Sequence, residues 1–79
     1  MRDNEWRSEQ ARLEEAMDAA QRAYAMIDRR IGRKIAAARE QGLPPQLALN
    51  ELAAWDSARE RWSELARQLT LHWLQRLAR

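Results

Sequence analysis

The sequence predicts an all-α fold made of two long antiparallel helices. The chain has 79 residues, and one segment, Gly42-Leu43-Pro44-Pro45, separates two stretches rich in Ala, Leu, Arg and Glu. These residues are strong helix formers, whereas strand formers are scarce, since the chain has no Phe and no Val. A glycine followed by two prolines ends one helix and begins another. We therefore expect a helical hairpin that forms a single domain over residues 1–79.

The first helix is expected over about residues 4–41. Its apolar residues recur every three or four positions, as they do on the buried face of a bundle helix. This apolar seam contains Trp6, Leu13, Met17, Ala20, Tyr24, Ile27, Ile31 and Ala38. Asp3 or Asn4 is expected as the N-cap, because a short polar side chain accepts a hydrogen bond from an otherwise unpaired backbone N–H. Gly42 is expected just beyond the last turn, in a Schellman-type cap.

The turn is expected at residues 42–45 and the second helix at about residues 45–78. Proline suits the first position of a helix, but no Ser, Thr, Asp or Asn precedes it, so we expect a weak N-cap. The apolar seam of this helix contains Ala48, Leu52, Trp55, Ala58, Trp62, Leu65, Ala66, Leu69 and Trp73. The opposite side carries charged residues and is expected to face water.

A turn centred near residue 43 sets the register between the two seams. Tyr24 then lies near Trp62, and Leu13 lies near Trp73. Both members of each pair are apolar, so the register agrees with the hydrophobic pattern.

A single hairpin covers only one side of each seam, so the sequence predicts further association. Trp6 would extend beyond the second helix, small residues form a second stripe on the first helix, and the second helix becomes apolar almost all round near its C-terminus. We expect a homodimer that forms an antiparallel four-helix bundle, and a protein partner of unknown identity. The residues predicted to make these contacts are Trp6, Leu13, Met17, Ala19, Ala23, Met26, Trp55, Trp62, Leu69, Leu71, Trp73, Leu74 and Leu77.

The sequence offers few groups for catalysis. His72 is the only histidine and there is no Cys, so neither a zinc site nor a di-metal site is expected. No Gly-rich phosphate loop is present, so no cofactor is expected. We interpret His72 as a residue at the edge of the bundle and expect no enzyme activity.

A basic cluster on the first helix supports an alternative function. Its members are Arg22, Arg29, Arg30, Arg33, Lys34 and Arg39. Arginine binds phosphate with two parallel hydrogen bonds, so a dimeric bundle could bind RNA or DNA with two such clusters. The small net charge of +2 and the interspersed Asp28 make this less favoured than protein binding.

The absence of a signal peptide and of a long apolar run predicts a cytoplasmic protein, and membrane binding is not favoured. The sequence thus predicts a small non-enzymatic module for protein–protein interaction. A regulator, an inhibitor, a chaperone-like adaptor or an assembly factor would fit, each presenting helix faces to a protein partner.

Overall fold

The computed structural model describes residues 2–78, including the side chains of residues 3–78. Helix α1 spans Arg2–Glu40 and helix α2 spans Leu49–Leu77. A non-helical connection joins them, and the described part of the chain contains no strand. The predicted all-α class with two helices is therefore confirmed.

The two helices run antiparallel along each other. Trp6 contacts Trp73 at the open end of the hairpin, and Lys34 contacts Glu51 near the connection. The molecule measures 60 × 20 × 18 Å and has a radius of gyration of 17.8 Å. A compact domain of the same length would have a radius of gyration of about 12 Å, so the hairpin is strongly elongated.

Helix α1 begins earlier than the sequence predicts. Asp3 and Asn4 lie inside the first turn, so the prediction that one of them is the N-cap is wrong. A contact with the other helix holds this turn in place, because Arg76 donates a hydrogen bond to the Asp3 carboxylate at 3.1 Å. Asp3 and Glu5 still put negative charge at the positive end of the helix dipole, which stabilises the helix.

The C-terminus of α1 has the Schellman cap that the sequence predicts. Gly42 has a φ of +69°, in the left-handed region that favours glycine. Its N–H donates to the carbonyl of Arg39 at 3.1 Å, and the N–H of Leu43 donates to the carbonyl of Ala38 at 2.9 Å. These two bonds define the motif and satisfy carbonyls that the end of the helix leaves unpaired.

The connection is longer than expected, and α2 begins at Leu49 rather than at about residue 45. Residues 43–48 are not helical, and within them Leu43 and Pro44 each precede a proline, which favours extended backbone. Ala48 is the N-cap, with an extended backbone (φ −72°, ψ 149°) and no side-chain acceptor. The Glu51 carboxylate accepts the N–H of Ala48 at 3.1 Å, so half of a capping box is present.

The core between the helices is thin. Its buried cluster consists of Leu13, Ala20 and Leu65, with Ala16, Met17, Trp62 and Leu69 packed against it. Ile31, at 1% exposure, is the most enclosed apolar side chain and lies nearer the connection. Most of the other apolar side chains keep one side in contact with water, so the hairpin has much unburied apolar surface.

Candidate protein-interaction surface

Four side chains form a cluster at the open end of the hairpin, which we call the terminal aromatic cluster: Trp6, His72, Trp73 and Arg76. The Trp6 and His72 rings stack with centroids 4.4 Å apart and planes 14° from parallel. Trp73 meets Trp6 edge to face at 5.1 Å. The Arg76 guanidinium lies 4.8 Å from the centre of the Trp6 ring, a cation–π distance.

Two hydrogen bonds join the helices within this cluster. The Trp6 indole N–H donates to the backbone carbonyl of His72 at 3.2 Å. His72 Nε2 lies 2.9 Å from the backbone carbonyl of Trp6. A carbonyl oxygen only accepts, so His72 carries a proton on Nε2 and donates it. This bond satisfies a side chain that is only 8% exposed, which gives His72 a structural role.

The contacts at the open end differ from those predicted, while one predicted pair in the middle is confirmed. Tyr24 stacks on Trp62 with centroids 5.5 Å apart, as predicted. At the open end Trp73 meets Trp6, which precedes its predicted neighbour Leu13 in the chain. Trp6 is therefore half-buried within the hairpin, and the prediction that it lacks a partner is wrong. The size of the two indole rings is the physical reason, because large rings can touch between residues at different levels of the helices.

The last turns of α2 expose large apolar side chains to solvent. We call Leu71, Trp73, Leu74 and Leu77 the C-terminal apolar surface; they are 44%, 42%, 52% and 75% exposed, respectively. The three leucines are spaced by three residues and Trp73 precedes Leu77 by four, so neighbours touch on the helix surface. Trp73 belongs to both groups, with its inner edge on Trp6.

The other residues predicted to make contacts fall into three classes. Leu13 is 3% exposed and belongs to the core, so its assignment to an intermolecular interface is corrected. Met17, Trp55, Trp62 and Leu69 are half-buried between the helices. Ala19 and Ala23 are exposed, and Met26 is 56% exposed on the outer side of α1.

Near the connection lies a second exposed apolar group, outside the residues that the sequence predicts to form an interface. It consists of Leu43, Leu49 and Leu52, which are 57%, 85% and 39% exposed, respectively. A shallow groove of about 660 Å³ lies next to it and includes Ala37, Ala38, Leu43 and Pro44 in its lining. The late start of α2 places Leu49 in the first turn, and no sequence pattern indicated that start.

The basic cluster is exposed along its whole length. Arg22, Arg29 and Arg33 are spaced by seven and four residues, which places them in one row on α1. Lys34 donates to both Glu51 oxygens at 2.7 and 2.6 Å and so joins the two helices. The hydrogen bond from Lys34 is the main cause that holds the pKa of the Glu51 carboxyl below its usual value, and the bond from the Ala48 N–H is the next largest.

Among residues 3–78, no three His or carboxylate side chains lie close enough together to hold a metal ion. Neither described helix has a stretch sufficiently long and apolar to cross a bilayer. No protein-family model, curated protein or solved structure matches the chain.

Proposed function

We propose that the protein is a small non-enzymatic interaction module that binds a protein partner through the C-terminal apolar surface. The observation that carries this proposal is the exposure of four large apolar side chains on consecutive turns of α2. Contiguous apolar surface of this kind is typical of a binding site for another protein. A regulator, an inhibitor, a chaperone-like adaptor or an assembly factor in the cytoplasm would use such a surface.

The total exposed area supports association. The hairpin exposes 6364 Å², whereas a compact monomer of 9.3 kDa exposes about 5,000 Å². The excess of roughly 1,400 Å² exceeds the area of about 800 Å² that each partner contributes to a typical stable interface. An association of ordinary size would therefore bring the molecule to the usual exposure of a small protein.

We also propose that two hairpins associate into an antiparallel four-helix bundle. Such a bundle encloses helix faces that a hairpin leaves half covered, including those of Trp55 and Trp62. Sedimentation equilibrium at micromolar concentration tests this directly. We expect the mass of two chains, and a stable single chain across that range would contradict the bundle.

Partner binding through the C-terminal apolar surface is tested by a pair of variants. Leu71→Glu combined with Leu74→Glu places charge in that surface, while Ala54→Glu combined with Ser57→Glu adds the same charge at exposed positions elsewhere on α2. Affinity capture with each bait should identify proteins that the leucine variant loses and the control variant retains. A protein that only the leucine variant fails to capture is then purified. In calorimetry it should bind the wild-type chain with a negative heat-capacity change. Circular dichroism verifies that both baits are helical, and equal capture by the two baits would contradict the proposal.

Nucleic-acid binding is the second candidate, favoured by one observation. Arg22, Arg29 and Arg33 form an exposed row, and none of them has a salt bridge to another residue in the described part of the chain. Phosphate binding by this row would weaken steeply as salt concentration rises. Titration of labelled RNA and duplex DNA at low salt tests it, and the absence of binding under those conditions would exclude it.

A further inference from the structure

We propose that α1 pairs with α1 of a second copy of this chain, antiparallel, through an outer face that contains Ala16, Ala19, Ala23 and Met26. The centre of the pair lies between Ala19 and Ala23. This inference rests on the proposed bundle and deepens it, because it names the helix, the face, the direction and the register of self-association.

The face is open in the hairpin and permits a close approach. The four residues follow alternating spacings of three and four, which places them on one side of the helix. Ala19 and Ala23 are exposed, Met26 is 56% exposed and only Ala16 is half-buried. Small side chains allow two helices to pack at the short end of the usual interaxial range of 8–10 Å.

The charges of α1 indicate what covers this face. Residues 3–18 carry six carboxylates and two arginines, whereas residues 22–39 carry six basic side chains and one carboxylate. An antiparallel partner helix places its basic half over the acidic half of the first copy, and the reverse holds at the other end. A parallel partner would instead place like charges together. The charge pattern therefore favours a second copy and fixes its direction.

The helix dipole does not explain this segregation. Dipole effects act within the first and last turns of a helix. Glu15 and Asp18 lie well inside α1, and Arg22 and Arg29 are several turns from its C-terminus. None of these four side chains forms a salt bridge in the described part of the chain. The salt bridges that α1 makes there join Glu9 with Arg12, Asp3 with Arg76 and Lys34 with Glu51.

The proposed centre determines which residues oppose each other. Ala19 faces Ala23 of the second copy, and Ala16 faces Met26, so a large side chain meets a small one. Glu9 faces Arg33. The same register brings Arg12 opposite Arg30, where the existing contact between Arg12 and Glu9 offsets the repulsion of like charges.

Charge reversal tests the electrostatic part of the proposal. One variant carries Glu9→Lys and a second carries Arg33→Glu, the two residues that face each other in the proposed pair. Each variant alone places like charges across the interface, so we expect its dimer dissociation constant at low salt to rise at least tenfold. An equimolar mixture restores opposite charges at both ends, so we expect dimers that contain one chain of each kind. Dimers of unchanged affinity in the separate variants would overturn the proposal.

Cross-linking tests direction and register, and the absence of native Cys makes it clean. In the proposed pair, residue 16 of one copy lies beside residue 26 of the other. A mixture of Ala16→Cys and Met26→Cys chains should form a mixed disulfide. Ala16→Cys alone should not cross-link, because its two copies would lie about 15 Å apart along the helix. Rapid cross-linking of Ala16→Cys alone would indicate parallel pairing and contradict the proposal.

The outcomes separate this inference from the proposed function. A wild-type chain that sediments as a monomer contradicts both the bundle and the α1 pairing. A wild-type dimer that neither responds to the charge variants nor forms the mixed disulfide contradicts the α1 pairing and leaves a bundle formed through another face. Partner binding is assessed independently, by the Leu71 and Leu74 variant.

Discussion

Individual side chains connect the two helices at both ends of the hairpin. Glu51 has a double role, because its carboxylate caps α2 at the Ala48 N–H and also binds Lys34 of α1. In the middle of the hairpin, two buried hydrogen-bond donors reduce the stability. The indole N–H groups of Trp55 and Trp62 are buried without an acceptor in the described part of the chain. Each unpaired donor costs about 1–3 kcal/mol, which limits the stability of the isolated hairpin.

Replacement of Glu51 should change the acid stability of the hairpin. The folded-state pKa of Glu51 lies below its unfolded value, so its stabilisation is present above the unfolded pKa and is lost as pH falls through the folded pKa. We expect Glu51→Gln to unfold at a lower temperature at neutral pH and to show a smaller loss of stability in acid. Thermal melts between pH 2 and pH 7 measure this, because that range contains the ordinary pKa of Glu, about 4.3. Glu60→Gln, at an exposed site outside the described salt bridges, is the control.

Replacement of Trp6 should destabilise the open end of the hairpin. Trp6→Ala removes a half-buried aromatic ring, its stacking on His72 and its hydrogen bond, so we expect a loss of about 2 kcal/mol, roughly half the cost at a fully buried site. Trp6→Phe retains a ring but lacks the N–H donor, so its loss should be smaller. Urea denaturation followed by circular dichroism gives both values. Equal stability of Trp6→Ala and the wild type would show that the contact with His72 does not stabilise the fold.

At the scale of the helices, the two ends that flank the connection differ in how well they are capped. The end of α1 has a complete Schellman motif around Gly42. The start of α2 has Ala48 as its N-cap, which offers no side-chain acceptor. The weaker end is therefore the one that the sequence also predicts to be poorly capped, although at a different residue.

An N-cap side chain at residue 48 should stabilise α2. The backbone of Ala48 already has the extended conformation of a capping residue, and Glu51 already supplies the other half of a capping box. We expect Ala48→Ser to add about 0.5–1.5 kcal/mol, which corresponds to a rise of several degrees in Tm for a domain of this size. Differential scanning calorimetry measures the change. Ala53→Ser, within the same helix, is the control and should be neutral or slightly destabilising.

The two glycines should respond to alanine in opposite directions. Gly32 lies inside α1, and a Cβ there would meet no atom within 4 Å, so Gly32→Ala should stabilise the helix by about 1 kcal/mol. Gly42 has a positive φ, so Gly42→Ala should destabilise the cap by about 1 kcal/mol even though space is available. Parallel chemical denaturation of the two variants tests this prediction, and a shift of the same sign in both would contradict it.

Local sequence patterns predicted the helices but not every boundary. Periodicity and residue type predicted both helices, and Gly42 predicted the cap of α1. The start of α2 at Leu49 was not predictable in this way. It depends on Glu51, whose carboxylate is held by Lys34, a residue far away in the chain. Local propensity carries no information about such a contact.

At the scale of the whole molecule, the elongated shape leaves a thin core and a large surface. The predicted pairing of Tyr24 with Trp62 is confirmed, while at the open end Trp73 contacts Trp6, a residue predicted to lie beyond α2. The sequence indicates the apolar face of each helix and hence the approximate register. It does not indicate how far the large aromatic rings reach along that face.

The proposed self-association should make thermal stability depend on concentration. A folded dimer dissociates as it unfolds, so mass action favours the folded state at high concentration. We expect the Tm to rise by several degrees between about 1 and 100 μM, with a contribution of about 2.7 kcal/mol for a hundredfold excess over the dissociation constant. Circular dichroism melts across this range measure the shift. A constant Tm would indicate that the hairpin unfolds as a single chain.

The placement of the helix contacts also sets an order of folding. Lys34 and Glu51 are 17 residues apart, whereas Trp6 and His72 are 66 apart. Closing the longer loop costs about 1.2 kcal/mol more in chain entropy. The helix contacts should therefore form first beside the connection and then progressively toward the chain ends. The terminal aromatic cluster would then form last and open first. A partner bound to the C-terminal apolar surface, next to that cluster, would stabilise the end of the hairpin that opens most readily.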